Sequence, residues 1–69
     1  MEVNRMCEFT VYLNGHDDEN IVATNVIKSK VRPDYISLMD SSGKTYRVER
    51  AFIVKVDSIM AEMQLESMA

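Results

Sequence analysis

Cys7-Glu8-Phe9-Thr10-Val11-Tyr12-Leu13 alternates residue by residue. Cys7, Phe9, Val11 and Leu13 fall on one side; Glu8, Thr10 and Tyr12 fall on the other. A period of two, carried by β-branched and aromatic residues, marks a half-buried strand. The stretch also holds the only cysteine of the chain. Asn14-Gly15 follows it as a strong hairpin signal, because both residues tolerate positive φ. His16-Asp17-Asp18-Glu19-Asn20 then extends the turn into an acidic, exposed loop.

The pattern continues outward from this strand. Ile21-Val22-Ala23 is short and apolar, Thr24-Asn25 reads as a bulge or bend, and Val26 to Arg32 alternates again. In that run Ile27, Ser29 and Val31 oppose Lys28, Lys30 and Arg32. Pro33-Asp34 interrupts the ladder, since proline has no N–H to donate. Tyr35 to Met39 and Lys44 to Val48 flank the turn Asp40-Ser41-Ser42-Gly43 and form a second hairpin, with Ile36 and Leu38 inward. After the polar corner Glu49-Arg50, Ala51 to Val56 is the most β-prone run of the chain. The segment from Ile59 to Ala69 reads two ways. Its Met, Ala, Glu, Gln and Leu residues favour a helix by local propensity, capped by Ser58. A turn at Ser58 to Ala61 followed by a strand with Met63 and Leu65 inward is the alternative. Five to six short strands joined by turns predict an all-β domain, a small SH3-like or Greek-key barrel.

A chain of 69 residues is one small domain. Below roughly 70–80 residues a single core seldom supplies more than about 3–5 kcal/mol, so such domains need a staple. One cysteine makes no internal disulfide, and no Cys/His cluster offers a structural zinc site. Oligomerisation is the remaining staple, and a homodimer is expected. The net charge of −3 disfavours a nucleic-acid partner. No run of 18 apolar residues predicts a membrane span, and one free thiol suits the reducing cytoplasm.

Candidate sites are few. His16 beside Asp17, Asp18 and Glu19 could chelate a cation, though a solvated hairpin loop is the plainer reading of the run. Lys28, Lys30 and Arg32 form a basic strip that Lys44, Arg47 and Arg50 could extend. Tyr12, Tyr35 and Tyr46 could stack on bases, which would make the chain an RNA-binding module using Lys28, Lys30, Arg32, Tyr35 and Arg47. A solvated sheet face with edge-guarding lysines is the plainer reading. Six methionines suit adaptable packing at an interface. No catalytic constellation is visible, there is no glycine-rich phosphate loop, and an enzyme is not expected. By periodicity alone, Cys7 reads as a buried core residue before it reads as a ligand.

Met6-Cys7-Glu8 at the head of the first strand, the Gly15 turn with its acidic loop, the paired short strands and Ile53-Val54-Lys55-Val56-Asp57 near the end resemble the CooT-like family. The resemblance spans residues 6–66. It implies a homodimeric SH3-like barrel, no cofactor required for folding, and an accessory role in maturing nickel-dependent carbon monoxide dehydrogenase. It also implies Ni(II) binding through the cysteine next to the initiator methionine, and it makes residues 62–66 a strand. Related sequences carry the label of predicted RNA-binding proteins. On this reading residues 7–66 are the domain, residues 67–69 a tail, and residues 1–6 a leader or an extension ahead of a start at Met6. A terminal Cys7 would offer its α-amine and thiolate as a five-membered chelate, with the backbone nitrogen of Glu8 as a further donor. Two such residues across a dimer axis would supply four donors to one ion.

Overall fold

The computed structural model describes residues 8–68. Cys7 and the proposed leader at residues 1–6 lie outside the described residues. The strands are β1 Phe9–Leu13, β2 Ile21–Val31, β3 Tyr35–Asp40, β4 Thr45–Glu49, β5 Ala51–Asp57 and β6 Glu62–Ser67. They form one mixed sheet in the order β4-β3-β2-β1-β6-β5. The chain is therefore all-β, with six strands; its one helical element among the described residues is a 3₁₀ turn at Asp18–Asn20. The hydrogen-bonded ladder is open, with β4 and β5 as its two ends, so the expected barrel is not closed by strand pairing.

β1 is inner in the sheet. Its Val11 is fully buried. On one side β1 pairs antiparallel with β2, and on the other it pairs parallel with β6. Long β2 serves two neighbours, its first half facing β1 and its second half facing β3. It bends between them. Asn25 sits at φ 56°, and the register shifts between Val26 and Lys28. Such bulges add local twist and let a sheet coil around its own core. That core is Val11, Ala23, Val26, Ile36, Leu38, Val48, Ala51, Met63 and Leu65. β3 packs on β5 across it.

The tail is a strand despite its helix-forming composition. The Asp57 carboxylate accepts the backbone N–H groups of Ile59 and Met60, both at 3.0 Å. This turn closes with Ala61 at φ 56°. β6 then enters the slot between β1 and β5, burying Met63 and Leu65. Burial of two large side chains outweighs propensities of a few tenths of a kcal/mol per residue. Both ends of the slot are pinned. Thr10 N–H donates to the Ala61 carbonyl at 2.9 Å, and Asn14 exchanges side-chain hydrogen bonds with Ser67, both at 2.9 Å. β6 thus reaches Ser67, the first residue of the expected tail.

The turn between β3 and β4 is organised by a buried carboxylate. Asp40 accepts from the Ser42 hydroxyl at 2.6 Å, the Ser42 and Lys44 N–H groups at 3.0 Å each, and the Tyr46 hydroxyl at 3.1 Å. The Ser42 hydroxyl contributes most to holding its pKa below the ordinary carboxylate value, against the opposing effect of burial.

Two outcomes follow from this frame. Arg50 is the only residue between β4 and β5, at φ 51°, and its N–H donates to the Asp34 carbonyl at 2.7 Å. Arg50→Pro forbids that φ and removes the donor, and it should lower unfolding free energy by about 3 kcal/mol or more. Arg50→Gly accepts the φ and should stay within about 1 kcal/mol of wild type. Denaturant titration reads both. Because the folded Asp40 pKa lies below its unfolded value, its contribution is complete above the unfolded value of about 3.9 and is lost as pH falls through the folded one. Thermal melts across the acid range should therefore fall less steeply with pH for Asp40→Asn than for wild type.

Candidate functional site

The start of β1 is the end of the described chain nearest Cys7. Glu8 is exposed and precedes the first ladder pairs, Phe9 with Val26 and Thr10 with Glu62. Phe9 lines a largely apolar cleft of about 280 Å³ together with Ile27, Ile53, Val56 and Met63, with Lys28 and Ser29 of β2 also in its lining. The cleft lies between β2 and the β5–β6 pair, with Phe9 of β1 in its lining. Val56 stays 54 % exposed although it pairs with buried Met63, and Val54, Ile59 and Met60 are exposed nearby in the sequence. The register shift between Ile53 and Lys55 places Val54 in the bulge. The methionines of this end do not gather: Met63 is buried, while Met60 and Met68 are exposed.

His16 leaves the acidic loop and turns back over the outer face of β1. Its ring lies 4.5 Å from that of Tyr12, tilted by 54°. Its Nε2 is 2.7 Å from Glu62 Oε1. Asn20 braces the loop by donating to the Leu13 carbonyl at 3.1 Å, over Gly15, where any Cβ would collide with the Asn20 side chain. The packing explains why Tyr12, on the polar side of β1, is only 8 % exposed. Burial raises its phenol pKa, and the charges of Glu62 and Asp18 raise it further. Among the described residues no three His, Cys, Asp or Glu side chains converge to hold a metal ion. His16 therefore has a carboxylate partner, Glu62, but not a chelating set with Asp17, Asp18 and Glu19.

Three residues of the basic strip, Lys28, Lys30 and Arg47, share one face. Register aligns Lys28 with Met39 and Thr45, and Lys30 with Ser37 and Arg47, on the outer face of β2, β3 and β4. The Arg47 guanidinium lies 3.7 Å above the Tyr35 ring, and its Nε is 2.7 Å from Glu49 Oε2. Arg32 follows β2 and binds the Tyr35 carbonyl through its N–H at 2.8 Å. The other tyrosines lie elsewhere: Tyr12 is covered by His16, and Tyr46 packs against the core with its hydroxyl on Asp40.

Sequence reasoning missed the partnership of His16, Tyr12 and Glu62. His16 and Glu62 are 46 residues apart, and only the parallel pairing of β1 with β6 brings them together.

The family model described as "CO dehydrogenase accessory protein CooT" matches residues 6–66. No curated protein matches the chain. The Tyr12 environment gives a direct check. Glu62→Gln should lower the phenol pKa while leaving it above the ordinary tyrosine value, because burial, the larger cause, persists. Carbon NMR of the Tyr12 phenol through an alkaline titration reads the change.

Proposed function

The chain belongs to the CooT family of CO dehydrogenase accessory proteins, and we propose that it carries Ni(II) for a nickel-enzyme client through Cys7. The observation that carries this reading is the family match over residues 6–66, which takes in Cys7 and begins one residue before it. The role is accessory rather than catalytic. Among the described residues no three His, Cys, Asp or Glu side chains converge, and on this reading Cys7 supplies the donors. The donor chemistry suits the ion. A terminal Cys7 supplies thiolate and amine nitrogen, and the Glu8 backbone nitrogen stands next in line; such N/S donors favour Ni(II) or Cu(II) in tetragonal geometry. His16, already engaged by Glu62, is a lesser candidate.

A homodimer completes the proposal. Two copies that bring their Cys7 residues to one two-fold axis would double the donors. The apolar cleft at Phe9 and the exposed Val54, Val56, Ile59 and Met60 supply surface of the kind such an interface buries. The coiled sheet, with β3 packed on β5, is compatible with the SH3-like arrangement of the protomer.

Calorimetric titration with Ni(II) tests the site on two forms, one beginning at Met1 and one processed to begin at Cys7. The processed form should bind, with thiolate-to-metal charge-transfer absorbance, and Cys7→Ser should abolish both signals. Thiol and amine have reference pKa values of about 8.5 and about 7.7–8.0, and both must lose their protons. Affinity should therefore rise with pH through this range. Equal binding by both forms would rule out the amine as a donor. Binding by neither would sink the nickel reading.

A further inference from the structure

Charge is unevenly distributed along this acidic chain. Residues 26–50 hold six of its eight Lys and Arg residues but three of its eleven carboxylates, a balance of +3. The remainder holds two cations and eight carboxylates, a balance of −6, which together give the net −3. The fold then concentrates part of the positive set. Lys28 and Lys30 alternate along β2, and Arg47 lies two strands away in the row of Lys30 and Ser37. At strand spacings of about 4.8 Å, the three cations share a patch on the order of 10 Å across. Of the three carboxylates in this segment, Asp40 is buried within its own turn, while Glu49 stands against Arg47.

Between the two lysines runs a groove of about 120 Å³, floored by Ser37, Met39 and Thr45. A water occupies roughly 30 Å³ of liquid, so the groove has room for about four. That suits one carboxylate side chain and is well below the range of about 300–1,000 Å³ typical of small-molecule sites. Its lining is amphipathic: two lysines, two hydroxyl residues able to donate, and a methionine to pack against a methylene stem. Arg47 is held over Tyr35 at 3.7 Å, which orders the guanidinium in advance.

We propose that the outer face of β2, β3 and β4, with Lys28, Lys30 and Arg47 around the Ser37–Met39–Thr45 groove, docks an acidic surface of a partner protein. Nucleic acid fits the face less well. Single strands are held by stacking as well as by charge. The one tyrosine on this face already carries Arg47 on its ring, and among the described residues no other aromatic ring flanks the groove. The −6 balance of the rest of the chain repels a long polyphosphate, whereas a local cluster of Asp and Glu meets the patch alone. Docking here uses none of the Cys7 donors, so it stands or falls separately from nickel binding.

Fluorescence anisotropy on the full chain tests the proposal, with a labelled oligoglutamate and an oligouridylate of equal charge as probes. Oligoglutamate should bind at low ionic strength, and binding should weaken as salt is added. Lys28→Glu/Lys30→Glu should reduce affinity by about tenfold or more, and Lys28→Gln/Lys30→Gln by less. Lys55→Glu, on β5, should leave it nearly unchanged. Circular dichroism confirms that each variant is folded; should the reversal fail to fold, the glutamine pair carries the test. Four results would overturn the assignment. One is no binding of oligoglutamate. Another is an equal loss in Lys55→Glu. A third is tighter binding of oligouridylate, which would make the face a nucleic-acid site. The last is a sedimentation mass that falls on charge reversal, which would make the occupant a second copy of this chain.

Discussion

A single residue holds the two ends of the sheet together. β4 and β5 are the outermost strands of the ladder, yet only Arg50 separates them in the chain. A flat sheet of six strands would place them about 24 Å apart at normal spacing. One residue cannot span that distance, so the sheet must coil until its ends meet. The corner also bonds across the seam. Arg50 N–H reaches the carbonyl of Asp34, just before β3, and its carbonyl accepts the N–H of Met68, just after β6, both at 2.7 Å. Coiling is what creates an inside, and the buried face of every strand depends on it.

Given that constraint, the bulges fall where bending is required. β2 shifts register around Asn25 and Val26 as it passes from β1 to β3, and β5 shifts at Val54. The turns are fixed by polar side chains rather than by glycine alone. Asp40 gathers four hydrogen bonds in the β3–β4 turn, Asp57 caps the β5–β6 turn, and Asn14 ties the end of β1 to that of β6. Each satisfies backbone groups that a tight turn would otherwise leave without partners. In so small a domain these local pins matter because the buried core comprises only nine residues.

The same coiling leaves two adjoining surfaces with different chemistry. At the seam side, Phe9, Ile27 and Val56 leave an apolar cleft near the strand that follows Cys7. Next to it, β2, β3 and β4 present Lys28, Lys30 and Arg47, and Lys28 borders both the cleft and the basic groove. The buried face is uncharged apart from Asp40, so the charges are carried almost wholly by the outer surface.

Much of this was legible locally. Period-two alternation located the strands, Asn14-Gly15 and Asp40 to Gly43 located the turns, and Ile36 and Leu38 were identified as core from their spacing alone. These features depend on side-chain size, branching and φ preference, which neighbouring residues express without help from the rest of the chain. The segment from Glu62 was not legible in that way, because its composition favours a helix and only the slot between β1 and β5 rewards extension. The pairing of His16 with Glu62 and the gathering of Lys30 with Arg47 likewise arise from strand order, which no local pattern encodes. Sequence by itself determined the strands, the turns and the presence of one thiol. Tertiary structure decided which strands meet, because pairing is settled by burial between residues far apart in the chain.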